Sequence, residues 1–201
     1  NENAHVRQHA VRLAEDYIID APGVRKLLTE KLPKDASLQV RYQLVLSLGA
    51  FPAEIATRNA ALAELAVKDG ENPYMRTAIL SSVGEGAGDL LLRLRKNAAF
   101  RATPPGREFI KLLATQIGKQ LEAADILAVL QAITNLDKDD PALFQTIIQA
   151  LAAKPGSNLA KDLEQITGGK AAEVMKAAFA SALQTAADDQ QPVPKRAAAV
   201  R

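Results

Sequence analysis

The chain has 201 residues, 48% of them apolar, with 25 basic and 23 acidic side chains and a net charge of +2. The apolar share is enough for a continuous core and excludes a disordered chain, while the near-balanced charge gives no general signal for nucleic acid or a membrane surface. The absence of cysteine excludes disulfides, thiolate metal sites and attached c-type haem within this segment.

The apolar residues are mostly Ala and Leu, strong helix formers that pack helix on helix. Aromatics are only 4% and there is no Trp, so flat faces for stacking bases or sugars are few. No apolar run is long enough to cross a membrane as a helix.

From the N-terminus, the chain repeats itself. His5-Val6-Arg7-Gln8-His9-Ala10-Val11 returns as Gln39-Val40-Arg41-Tyr42-Gln43-Leu44-Val45, and again as Tyr74-Met75-Arg76-Thr77-Ala78-Ile79-Leu80. The arginines are 34 and 35 residues apart, a period that marks stacked helical hairpins. Counting from each arginine, Ala10, Leu44 and Ile79 fall at +3, Val11, Val45 and Leu80 at +4, and Ala14, Leu48 and Val83 at +7. That spacing is one face of an amphipathic helix. Gly49 and Gly84 follow at matching positions, where a left-handed helix end is easiest for Gly. Asp35 and Asp69 precede the second and third arginines, and each can accept backbone N–H groups or pair with a neighbouring Arg.

A second helix follows each first one, at roughly 22–32, 53–68 and 86–100, with Pro22, Pro52 and Pro73 at helix starts. Thr103-Pro104-Pro105-Gly106 reads as a break. Helices then read at about 105–118, 121–135, 140–153, 158–167 and 170–187. Asp139-Asp140-Pro141 is a start signal, and Pro155-Gly156 and Gly168-Gly169 are stops. The expected fold is all-α: an α-α superhelix of about eleven antiparallel helices. It forms a single repeat domain over 1–201, with clear repeats over 1–100, divergent hairpins over 101–187 and the start of a further repeat over 192–201. The chain begins in an inter-repeat turn and ends inside a helix, as expected of a fragment of a longer chain.

Chemical motifs are sparse. His5 and His9, at i and i+4, make half a zinc site, but Val6 stands where HExxH needs Glu; they read as ordinary histidines. Gly84-Glu85-Gly86-Ala87-Gly88-Asp89 follows a helix rather than a strand, so it reads as a tight turn and not a dinucleotide loop. Gly168-Gly169-Lys170 lacks the earlier Gly and the Ser/Thr of a phosphate loop. Asp137, Asp139 and Asp140 read as capping residues. No catalytic residue and no cofactor are expected. Arg93, Arg95, Lys96, Arg101, Arg107 and Lys111, opposed only by Glu108, are the candidate binding patch for an anion or acidic partner, set against a solvated helix face.

The segments Val6-Arg7-Gln8-His9-Ala10-Val11-Arg12-Leu13-Ala14-Glu15 and Val40-Arg41-Tyr42-Gln43-Leu44-Val45-Leu46-Ser47-Leu48-Gly49 resemble HEAT repeats, in which a Val-Arg pair opens one helix and an Asp lies a few residues before it. Arg7, Arg41, Arg76 and in part Arg196 keep the pattern; Met75 and Lys195 depart from its Val. Met75-Arg76-Thr77-Ala78-Ile79-Leu80-Ser81-Ser82, with Gly84 and Asp89-Leu90-Leu91, is similar to the HEAT region of planctomycete-type membrane-bound dehydrogenases. Those proteins join a β-propeller to HEAT repeats and a c-type cytochrome domain with a CxxCH motif. The resemblance implies a non-catalytic scaffold inside a multidomain, extracytoplasmic redox protein, with neighbouring domains or a protein as partner. Near-neutral charge, absent Trp and few aromatics weigh against nucleic acid, and the lack of a long apolar run against membrane insertion by this segment. The alternatives are a stand-alone solenoid that grips a protein or peptide, and a HEAT-like nucleic-acid binder.

Overall fold

The computed structural model describes residues 1–51, 54–120, 122–133 and 140–152, with isolated positions between 173 and 196. It divides into two units, Asn1–Phe109 and Ile110–Arg201. Ten α-helices and no strand occur among the described residues. Leu44-Val45-Leu46, the run closest to strand composition, lies inside a helix.

In the first unit, α1 (Ala4–Leu13) runs on as a 3-10 turn, Ala14–Tyr17. The segment α2 (Pro22–Lys26) is extended by a π turn at Leu27–Lys31 and a 3-10 turn at Leu32–Lys34. Then come α3 (Leu38–Gly49), α4 (Ile55–Asp69), α5 (Pro73–Val83), α6 (Ala87–Lys96) and α7 (Ala98–Ala102). The helices that open on the repeated arginines stack in order: α1 packs on α3 and α3 on α5. Behind them α4 packs on α6 and on the π turn. Between these layers lie Leu44, Leu48, Leu62, Leu65, Ile79, Leu90 and Leu94, all fully buried. Burying side chains of this size stabilises by about 1.5–3 kcal/mol each before ordering costs.

Helix α8 (Pro104–Gln120) passes from the first unit into the second, which also contains α9 (Ala123–Ile133) and α10 (Pro141–Leu151). The apolar period is unbroken here: Ile110, Leu113, Ala114 and Ile117 on α8, then Ile126, Val129, Leu130 and Ile133 on α9, are all buried. Gly118 is buried against α10, where an added Cβ would come within 2.2 Å of the Leu151 carbonyl oxygen. Only Gly lets the two backbones approach so closely.

Polar caps set several of the helix starts. The Asn72 side chain accepts the Tyr74 and Met75 N–H groups at 2.9 and 3.3 Å, with Pro73 opening α5. The Asp140 side chain accepts the Leu143 N–H at 3.1 Å, with Pro141 next to it, as the Asp-Pro start signal requires. Pro22 likewise opens α2. Pro52, the reading of 158–167, the stops at Pro155-Gly156 and Gly168-Gly169, Lys170, Asp137 and Asp139 lie outside the described residues. Within 170–187 the described positions Glu173, Lys176, Ala180, Gln184 and Ala187 are helical.

Three expectations are corrected. The helix read over 86–100 is two helices, because Asn97 takes an extended backbone and its side chain accepts the Phe100 N–H at 3.0 Å. Thr103-Pro104-Pro105-Gly106 is a junction rather than a gap: Thr103 alone separates α7 from α8, and its hydroxyl accepts the Gly106 N–H. Gly49 is not left-handed. It ends α3 in helical geometry, and a Cβ there would sit 2.8 Å from the Ser82 hydroxyl, so close helix packing explains it. Gly84, at the matching position, does take positive φ, as does Gly86.

Candidate functional site

The repeated arginines build a ladder along the stacked helices. Arg7 Nε and Nη2 donate to the two carboxylate oxygens of Asp35 at 2.8 and 2.9 Å. Arg41 makes the same fork to Asp69 at 2.7 and 2.6 Å. In each pair the acid lies 28 residues after the arginine, one hairpin on. The planar guanidinium matches a carboxylate with two parallel bonds, and its remaining N–H groups stay free for other acceptors. Those go to the turn in front of the same helix: Arg7 Nη1 donates to the Asn1 and Glu2 carbonyls at 2.8 Å, Arg41 Nη1 to the Asp35 carbonyl at 2.5 Å, and Arg76 Nη1 to the Gly70 carbonyl at 3.4 Å. Each arginine thus clamps its own turn, and the first two also bind the next hairpin. Asp35 fulfils both expected roles at once, since its Oδ1 also accepts the Ser37 N–H at 2.8 Å. For Arg76 the register 28 residues on holds Pro104, so the ladder has no third carboxylate.

The hydrogen bonds from Arg7 hold the Asp35 carboxyl below the usual carboxylate range, with a smaller contribution from the Ser37 N–H. In turn, the bond to Asp69 raises Arg41. Arg41 and Asp69 are 7% and 10% exposed, so the pair is largely shielded from salt.

A second set of arginines stands behind the first, on the other helix of each hairpin. Arg25 donates to the Ile18 and Ile19 carbonyls at 3.2 and 2.7 Å, pairs with Glu54 at 2.5 Å and lies 5.8 Å from the Phe51 ring centroid. Arg58 is buried and donates to the Val83 carbonyl at 2.5 Å and to that of Glu85. Its neighbour Asn59 donates to the Gly86 carbonyl at 2.7 Å. Burial pushes the Arg58 guanidinium down, against the attraction of Glu85 and Asp89. This pair was missed in the sequence; the usable signal was the 33-residue spacing of Arg25 and Arg58.

The six residues of the candidate basic patch come from three helices and from both units. Arg93, Arg95 and Lys96 lie on α6, Arg101 on α7, and Arg107 and Lys111 on α8. Two residues along a helix are turned roughly 200° apart, so Arg93 and Arg95 point away from each other. Arg93 pairs with Asp89 at 2.7 Å one turn earlier, while Arg95, Arg107 and Lys111 also interact within the chain. Lys111 belongs to the second unit and the other five to the first. Of the six, Arg93 alone lines a cleft of about 410 Å³ between α4 and α6, with Ala63, Glu64, Val67, Lys68, Leu94 and Asn97. Glu64 there lies 3.7 Å from Lys34. The cleft has an apolar floor and mixed charge, not a positive one.

His5 and His9 are both exposed, and His5 Nδ1 lies 3.3 Å from Gln39 Nε2. Among the described residues no group of three His, Asp or Glu is placed to hold a metal ion. No described helix is long and apolar enough to cross a membrane. Comparison with protein-family models, with curated proteins and with solved structures finds no match.

Proposed function

We propose that this chain is a non-catalytic helical-repeat scaffold of the HEAT type, a solenoid that serves as spacer or docking surface for other domains. The observation that carries the reading is the ladder: two identical Arg–Asp forks, 34 residues apart, bind each hairpin to the next. Nearest-neighbour bonding of this kind is how repeat arrays gain stability. The buried arginines and their acids are bonded to each other and to turn carbonyls, as suits a structural role. Small-angle scattering tests the solenoid: an elongated particle supports it, and a radius of gyration near that of a compact 201-residue globule removes it.

On the sequence resemblance to membrane-bound dehydrogenases, we further propose that the scaffold is part of a larger, extracytoplasmic redox protein, with its neighbouring domains as partners. The reading frame on both sides of the segment tests this. A propeller region before it and a CxxCH after it support the reading; flanks with neither remove it.

A second reading, a module that grips a protein or peptide, has its own observation. Leu38, Tyr42 and Leu46 project from α3 at i, i+4 and i+8, all exposed. Peptides selected on the chain, whose binding is lost on Tyr42→Ala, favour this module. A selection whose binders ignore that change counts against it. Nucleic-acid binding is the least supported reading, since the net charge is only +2 and aromatics are 4% with no Trp. It predicts a salt-dependent gel shift, and no shift at low salt ends it.

A further inference from the structure

We propose that the third rung of the ladder, Arg76 with Arg101, is a carboxylate-binding site that takes an acidic side chain from a protein partner. The register of the turns locates it. Asn3, Ser37, Asn72 and Thr103 each stand four residues before an arginine, and their carbonyls accept the backbone N–H groups of Arg7, Arg41, Arg76 and Arg107 at 3.0 to 3.1 Å. These are four equivalent helix starts, and the acids of the ladder lie just before them. Asp35 is two residues before Ser37, and Asp69 is three before Asn72. Two and three residues before Thr103 stand Arg101 and Phe100.

The backbone of this last turn follows the earlier one. The Phe100 carbonyl accepts the Thr103 N–H at 3.1 Å, as the Asp69 carbonyl accepts that of Asn72 at 2.9 Å. Phe100 also reaches the turn in front of Arg76: an added Cβ on Gly70 would lie 3.4 Å from Phe100 Cε2, and the Gly70 carbonyl is the one that Arg76 Nη1 bonds. The third turn therefore comes to its arginine as the others do, but it brings a phenylalanine and a second guanidinium in place of a carboxylate.

The result is an unfilled fork. Nε and Nη2 of Arg7 and Arg41 hold carboxylate oxygens at 2.6 to 2.9 Å. Arg76 is half-buried, and among the described residues its Nε and Nη2 meet no acceptor. Arg101 is half-buried as well and, among the described residues, makes no side-chain hydrogen bond or ion pair. Glu71, in the turn itself, is exposed and pairs with neither. Two parallel N–H donors suit a planar oxyanion, and both filled forks of this chain hold a carboxylate. The surroundings favour an acid carried on a protein segment. The cleft between α4 and α6 includes Lys68 and Asn97, which lie two residues before Gly70 and three before Phe100. Its floor of Ala63, Val67 and Leu94 offers an apolar neighbour of that acid a place to lie. The site gives the docking surface proposed above a partner chemistry and rests on that reading for the partner being a protein.

Titration of the chain with an oligoglutamate peptide, followed by the arginine Nε–H resonances, tests the proposal. The signals of Arg76 and Arg101 should shift and saturate, while that of Arg41, already filled, stays in place. Arg76→Gln and Arg76→Lys should each weaken binding about tenfold or more, the lysine because it keeps the charge and loses the fork. Arg101→Asp should raise the melting temperature and abolish binding, since it completes the rung from within. Full binding by Arg76→Lys would make the attraction one of charge alone and overturns the site. Inorganic phosphate that shifts both signals as strongly as the peptide at equal ionic strength overturns the carboxylate assignment. An Arg76 signal that ignores the peptide, or an Arg101→Asp variant no more stable than the parent, also overturns the proposal. Each of these failures leaves the scaffold reading standing, because small-angle scattering tests that separately.

Discussion

At the scale of single residues, the ladder makes the sharpest predictions. Arg41→Ala leaves the Asp69 carboxylate shielded and without its fork, which costs roughly 3 kcal/mol. The melting temperature should fall by roughly 6–12 °C, and an unchanged value rules out a structural role for the ladder. Asp35 predicts a dependence on acid. Its folded-state pKa lies below the ordinary value of an aspartate, so the folded chain binds its proton less readily than the unfolded one. The stability it contributes is fully present above about pH 4 and fades as pH falls through the depressed folded value. Asp35→Asn should lower stability at neutral pH by about 1.5–3 kcal/mol and flatten the acid limb of a urea-stability profile. A variant whose acid limb matches the parent's would show that the Arg7 bonds do not set that limb. Arg7, Arg41, Asp35 and Asp69 were legible because they sit at a fixed offset from an apolar helical face. Arg58 was not, because its partners are carbonyls, and a carbonyl has no signature in sequence.

At the scale of elements, two glycines in one turn separate backbone strain from crowding. Gly84 and Gly86 both have positive φ, at 49° and 81°. A Cβ on Gly84 meets open space, whereas on Gly86 it lies 2.3 Å from Ile55 Cγ2. Gly84→Ala should therefore cost about 1 kcal/mol from backbone strain alone, and Gly86→Ala about 3 kcal/mol with crowding added, read as urea midpoints. Equal losses would show that Ile55 moves aside freely. Helix existence was legible throughout the described residues, since apolar period and start signals agree. The break at Asn97 was not. Asn is a modest helix former and a strong N-cap, so the outcome depends on whether the next helix is needed to bury Phe100 edge-on to Phe109, 6.1 Å away.

At the scale of the whole molecule, the ladder and its second set of arginines belong to the first unit, while α9 and α10 belong to the second. Local openings in such chains follow cooperative blocks. Arg41→Ala should therefore speed amide hydrogen exchange in α3, α4 and α5 while leaving α9 and α10 near their parent rates. Equal acceleration everywhere would mean that the chain opens as one block. The six basic residues illustrate the same scale. In sequence they form one run between 93 and 111, but they belong to three helices and two units.

The sequence by itself determined the helical class, the 34-residue period and the arginine and aspartate positions that register the hairpins. These follow from helix geometry, which is local and periodic, and from side-chain types that recur at fixed offsets. Only the tertiary structure decided which acids Arg7 and Arg41 bond, why Gly49 is small and where the helix read over 86–100 breaks. The first two depend on what a neighbouring hairpin places opposite, at residues 28 to 33 positions away in the chain, and the break on how Phe100 meets Phe109.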